Sequence, residues 1–172
     1  MKLNINGYAR HGKDTVADLF VKHYGLRKVS ASHIYARDII AEGYLGPYES
    51  VEECYQDRVN HRAAWYEFVR SKAREDPTYY VRQILAEGDM YVGHRGIFEY
   101  ESTCHLFDAT IWVDASKRGL PKEGKDSCEM SPTIHHDFYI DNGGDLWETK
   151  AQVDAVYKLI LNKKEAINAE SS

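Results

Sequence analysis

The chain has little cysteine, no excess of positive charge and no long apolar run, and each lack narrows what it is. Its three cysteines, Cys54, Cys104 and Cys128, are odd in number and far apart. Neither a disulfide framework nor a Cys-x-x-Cys zinc site is therefore expected. Lysine and arginine total 22 against 27 aspartate and glutamate, a formal net charge of −5. That balance argues against a chain whose main work is wrapping DNA, while leaving room for a local basic groove. No apolar run approaches the length of a membrane span, and the first residues lack the charged-then-apolar pattern of a secretory signal. The expectation is a protein without a membrane partner in a reducing cytoplasm, the host's if the chain is viral. There is no internal repeat and no low-complexity segment. At 172 residues, the chain is expected to form one domain with a full core.

One stretch organises the rest. Lys2-Leu3-Asn4-Ile5-Asn6 reads as a strand, and Val16, Ala17, Leu19, Phe20 and Tyr24 recur at helical spacing. Between them stands Gly7-Tyr8-Ala9-Arg10-His11-Gly12-Lys13-Asp14-Thr15. Strand, Gly-x-x-x-x-Gly-Lys and helix in that order form the context of a phosphate-binding P-loop. Glycines let successive backbone N–H groups turn toward phosphate oxygens, and the helix N-terminus adds a favourable dipole. Lys13 supplies a mobile charge for the outer phosphates. The nine residues Gly7 to Thr15 are thus the candidate nucleotide-binding set, with the Thr15 hydroxyl the candidate ligand for Mg²⁺.

Further strands are expected at 26–30, 89–93, 109–114 and 138–142. Helices are expected over 31–40, from Ser50 to about Arg74, from Asp76 to Gly88, after His94, and from about Asp145 to Ile160 with a frayed tail beyond. Alternation of strands and helices predicts a parallel α/β sheet with helices on both faces. Within the long helix, Arg58, Arg62 and Trp65 share a face, with Asp57 and His61 on a neighbouring one. Such a face can grip a phosphate and stack a base; it can equally be surface pairing over a core tryptophan. From Ala115 to Pro132 the chain is polar, broken by Gly and Pro, and carries Lys117, Arg118, Lys122 and Lys125. The adjacent His135 and His136 point to opposite faces of a strand, which disfavours a metal site.

The hydroxyl residue comes one step late, since Asp14 follows Lys13 and Thr15 follows Asp14. Gly-Lys-Asp-Thr resembles the nucleoside monophosphate kinases, and among them the bacteriophage deoxynucleoside monophosphate kinases. That resemblance implies a three-layer P-loop sandwich with five parallel strands in the order 2-3-1-4-5. It also implies an acceptor-binding helical insert at about 31–75 and a short lid at about 115–132. ATP and Mg²⁺ are the implied cofactors. Lys13, Asp14, Arg95 and Arg118 would be catalytic, with Asp57 a candidate base. Ser32, Arg37, Arg58, Arg62, Trp65, Arg95 and Glu99 would bind the substrate, and Asn142 would border the donor. Val92 stands where the family has a metal-linked Asp. Three readings follow. The acceptor is a deoxynucleoside monophosphate, which needs cations. Or it is a hydroxyl, such as 5-hydroxymethyluracil in phage DNA, which needs a carboxylate base (Asp14, Asp38 or Asp57). Or the chain binds nucleotide without catalysis. A homodimer is compatible with each.

Overall fold

The structure, a computed structural model, describes residues 1–122, 124 and 128–170; Lys125 lies outside the described residues. Alternation in the first strand divides it. β1 (Leu3–Asn6) sends Leu3 and Ile5 into one core and Asn4 and Asn6 to the opposite side, all four fully buried. It lies between β2 (Met90–Val92) and β3 (Ala109–Asp114), and β4 (Phe138–Asp141) extends the sheet beyond β3. All three pairings are parallel, in the order β2-β1-β3-β4.

Helices cover both faces. α1 (Lys13–Tyr24) and α7 (Leu146–Glu170) bring Val16, Phe20, Val153 and Ile160 onto Leu3, Ile5, Ile111 and Val113. On the other face α2 (Ala31–Ala41) and α5 (Tyr79–Glu87) pack Ile34, Tyr80, Val81 and Ile84 against Tyr91. α6 (Ile97–Thr103) adds Tyr100 to a cluster with Tyr8 and Trp112. Farther out, α3 (Val51–Asp57) and α4 (Arg62–Glu75) lay Cys54, Trp65 and Phe68 on Ala36 and Ile39 of α2.

Among the described residues the sheet has four strands where five were expected. The missing one, over 26–30, is reduced to a single bridge between Lys28 and Met90. Its hydrogen bonds explain why. The Arg27 N–H donates to the Asp89 carboxylate at 2.9 Å and the Arg27 carbonyl accepts from the Asp89 N–H at 2.8 Å. A side chain thus holds the segment where a continuous ladder would have run. The remaining strands keep the relative order expected of them.

The helix expected from Ser50 to Arg74 is two helices. The Asn60 and His61 N–H groups bond back to the carbonyls of Asp57 and Arg58, and the Asn60 side chain donates to Asp57 at 2.7 Å. This local bonding competes with helix continuation. At the C-terminus the helix runs on to Glu170 instead of fraying after Ile160. Lys, Glu and Ala in that stretch favour helix, and Lys164 ties it to Asp108 at 2.8 Å.

Candidate functional site

The turn from β1 into α1 is built on unusual backbone. Gly7 and Gly12 adopt φ of 151° and 89°, and Arg10, which is no glycine, adopts 66°. A Cβ at Gly7 would stand 2.4 Å from the Val113 carbonyl oxygen, and one at Gly12 would stand 2.0 Å from Asn142 Nδ2. Both positions therefore need glycine for conformation and for space. α1 opens on Gly12 with no side-chain cap, so its first N–H groups remain for the loop to present. Lys13 folds back over this turn, its ammonium donating to the Tyr8 carbonyl at 2.8 Å. The Thr15 hydroxyl is close by, 3.8 Å from where a Gly12 Cβ would be. His11 is fully buried and accepts the Ala115 N–H on Nδ1 at 2.9 Å, fastening the loop to the end of β3. Asp14 is instead exposed and pairs with Lys28 at 2.8 Å.

Asn142 holds the loop from the other side. It is buried, donates from Nδ2 to the His11 carbonyl at 3.0 Å, and accepts from the Thr149 hydroxyl of α7 at 2.9 Å. Its side chain is thereby a support for the loop and is committed away from any ligand. Directly after it, Gly143 and Gly144 join Lys117, Trp147 and Gln152 around a cleft of about 430 Å³. Lys117 pairs with Asp141, and Arg118 donates to the Gly144 carbonyl at 2.9 Å. Of the cations expected in a lid, Lys117 and Arg118 thus rest on the end of β4 and the turn after it.

At the end of β2 the chain passes close to the loop again, since a Cβ at Gly93 would lie 3.3 Å from Lys13 Cε. A buried network fixes this passage. Asn6 Oδ1 accepts the His94 N–H at 3.0 Å, and Asn4 Oδ1 lies 3.1 Å from His94 Nδ1. His94 Nε2 meets Thr103 Oγ1 at 3.2 Å, and Asn6 Nδ2 meets His136 Nε2 at 3.4 Å. Beyond it Arg95 is exposed, near enough to Tyr35 to bias its hydroxyl. Glu99, in the first turn of α6, accepts from the Tyr91 hydroxyl at 3.1 Å. Burial pushes its carboxyl up to about 7, against the smaller opposing effect of that hydrogen bond. Burial, then the Glu99 charge, raises Tyr35 to about 12. Glu129 caps α6, accepting the Ile97 N–H at 3.0 Å. Nothing in its polar surroundings in the sequence marked it for that role.

The remaining candidate residues lie on α2 and around the turn between α3 and α4. Ser32 is half-buried in the first turn of α2, and exposed Arg37 is paired with Glu87 at 2.7 Å. Arg58, Val59, Arg62 and Trp65 do come together, lining a cleft of about 260 Å³. Trp65 is packed into the α2–α4 core, so it forms the floor of that cleft and offers no open face for stacking. Asp57 is occupied by Asn60, Tyr48 and His61 at 2.7, 2.8 and 3.1 Å. Hydrogen bonds from Asn60 and Tyr48 hold its carboxyl below the usual range. Asp38 accepts from Gln83 at 3.3 Å. Among the described residues no three His, Cys, Asp or Glu side chains gather as a metal site.

No protein-family model matches this chain, and no curated protein does. The crystal structure of TT1252 from Thermus thermophilus is similar, with a TM-score of 0.53 and 15% sequence identity. The match covers 95% of this chain and 97% of that one. At that identity the likeness is one of fold: an α/β domain with a parallel sheet and helices on both sides. Among the described residues no helix is long and apolar enough to cross a membrane.

Proposed function

We propose that the chain is a P-loop phosphotransferase that moves the γ-phosphate of ATP to a deoxynucleoside monophosphate. The observation that carries this reading is the turn from Gly7 to Lys13, where two glycines held at positive φ wrap the backbone around the folded-back Lys13 ammonium. Phosphoryl transfer asks a protein mainly for positioning and charge, and this turn supplies both. In the reading, Lys13 leaves the Tyr8 carbonyl for the donor's outer phosphates, and the N–H groups opening α1 take their oxygens. Mg²⁺ would sit on Thr15 and the phosphates and neutralise developing charge. The donor base would lie along the Gly143–Gly144 turn, with Trp147, 71% exposed, as its neighbour. Arg95, which follows Gly93 at the end of β2 beside Lys13, would face the acceptor, and Arg118 would swing in from Gly144. Asp14 and Asp57, both paired elsewhere, take no part in the chemistry under this reading.

A second reading has one observation in its favour. An alcohol acceptor must lose a proton, and Glu99, raised to about 7, is a carboxyl poised to take it. The acceptor would then be a hydroxyl, such as hydroxymethyluracil in DNA.

The deciding experiment presents the protein and labelled Mg-ATP with each deoxynucleoside monophosphate and, separately, with duplex DNA carrying hydroxymethyluracil. Label is expected on a mononucleotide. Lys13→Ala is expected to lower transfer by about a thousandfold or more with the fold intact. Label on the DNA alone would favour the hydroxyl acceptor, and bound ATP without transfer would leave a nucleotide-binding module.

A further inference from the structure

α7 has two apolar faces, and the fold of one chain uses only one of them. Val153, Val156 and Ile160 are buried against the sheet. On the side turned away, Trp147, Ala151, Ala155 and Leu159 recur at every fourth position, and all four are exposed. Eleven large hydrophobic side chains are exposed among the described residues, and Leu146, Trp147, Leu159, Leu161 and Ile167 place five of them on this helix. Scattered singly such residues need no explanation, whereas a run along one element marks an interaction surface. A helix that is apolar on opposite faces calls for cover on both.

The outer row is complementary to itself. In an antiparallel pairing centred on Val153, Trp147 stands level with Leu159 of a second copy, and Ala151 with its Ala155. The alanines let the helix axes come close, and the larger side chains close the two ends. The same register sets Glu148 level with Lys158 of the second copy, and the two-fold axis makes that pair twice. Both residues are exposed. The carboxylate one turn before Lys158, that of Asp154, is already taken by Lys150 and Tyr24 at 2.6 Å each. A parallel pairing would instead oppose Glu148 to Glu148 and Lys158 to Lys158. Charge therefore selects the antiparallel arrangement, and the opposed helix dipoles favour it too.

We propose that a second copy of this chain covers the outer face of α7, the two helices packing antiparallel about a two-fold axis at Val153. The paired stretch from Trp147 to Leu159 is about 18 Å long, a length that suits a reversible dimer and falls short of an obligate one. Trp147 also borders the Gly143–Gly144 cleft. The test is therefore run without nucleotide, where the kinase reading has no part in the outcome.

Sedimentation velocity on the full chain, over a dilution series from about 1 μM to about 500 μM, is expected to show a monomer passing reversibly into a dimer. Leu159→Glu, at a position 54% exposed, is expected to keep the parent's circular dichroism and remain monomeric throughout. Lys158→Glu should weaken the dimer about tenfold, and adding Glu148→Lys to it should restore association. A parent that stays monomeric across the series overturns the proposal. So does a dimer that Leu159→Glu leaves unchanged, which would place the interface elsewhere. A double variant that associates no better than Lys158→Glu alone overturns the antiparallel register.

Discussion

Gly12 answers to two demands, and a pair of substitutions separates them. Its φ of 89° disfavours any side chain, and a Cβ would stand 2.0 Å from Asn142 Nδ2. Gly25, which caps the far end of α1, has φ of 68°, and a methyl added there would meet nothing within 4 Å. Gly25→Ala should then cost about 1 kcal/mol, the conformational penalty alone. Gly12→Ala should cost about 2–4 kcal/mol, because Asn142 must release the His11 carbonyl to make room. Urea denaturation of both variants checks this, and equal losses would mean that the Asn142 contact is unimportant. The glycines and Lys13 were legible in the sequence because a glycine-rich strand-to-helix turn is punctuation that one residue type can supply. Asn142 was legible only through the resemblance, as a residue bordering the donor. Its role as a brace depends on Thr149 and His11, which come from distant parts of the chain.

Elements were readable where periodicity decides them and misread where a single side chain does. The alternation of strand and helix followed from apolar spacing. The segment 26–30 has the composition of a strand, yet Asp89 supplies its hydrogen bonds and leaves it at one bridge. The break at 58–61 interrupts a sound apolar pattern because Asn60 and Asp57 bond locally. α6 offers a quantitative test at this scale. Its Glu99 carboxyl is raised to about 7 by burial, despite lying in the first turn, where the helix dipole favours charge. Between about 4.5, the usual glutamate range, and about 7 the folded chain binds more protons than the unfolded one. Stability therefore falls as pH rises through that window. Glu99→Gln cannot ionise, so its stability relative to the parent should climb by about 3 kcal/mol from pH 4.5 to pH 8. Chemical denaturation across that range reads the difference. A constant offset would mean that Glu99 is solvated and its Tyr91 contact incidental.

Taken whole, the molecule is a sheet with an oily face and a polar face, and the polar one holds the site together. Leu3 and Ile5 face α1 and α7, while Asn4 and Asn6, in the same strand, carry hydrogen bonds to His94 and His136. In a strand reading Leu-Asn-Ile-Asn both faces are buried, the polar one as fully as the oily one. The sequence pattern marks alternation, but only the tertiary arrangement reveals that the polar positions meet histidines some 90 and 130 residues away. Because the network anchors Gly93 beside Lys13, the site's geometry depends on His94 staying neutral. Burial first, then the nearby His136, lowers its imidazole to about 3. An unfolded histidine takes its proton near pH 6.5. Between about 6.5 and about 3 the unfolded state binds more protons, so stability drops as pH falls through this window. His94→Gln keeps polar groups for Asn4 and Asn6 but has nothing to protonate. Below pH 6 its stability should therefore decline less steeply than the parent's, by up to about 1.4 kcal/mol per pH unit. Denaturation midpoints at about pH 7 and about pH 5 are enough to tell. Parallel slopes would mean that His94 already exchanges its proton with water in the folded chain, and that the network is looser than its distances imply.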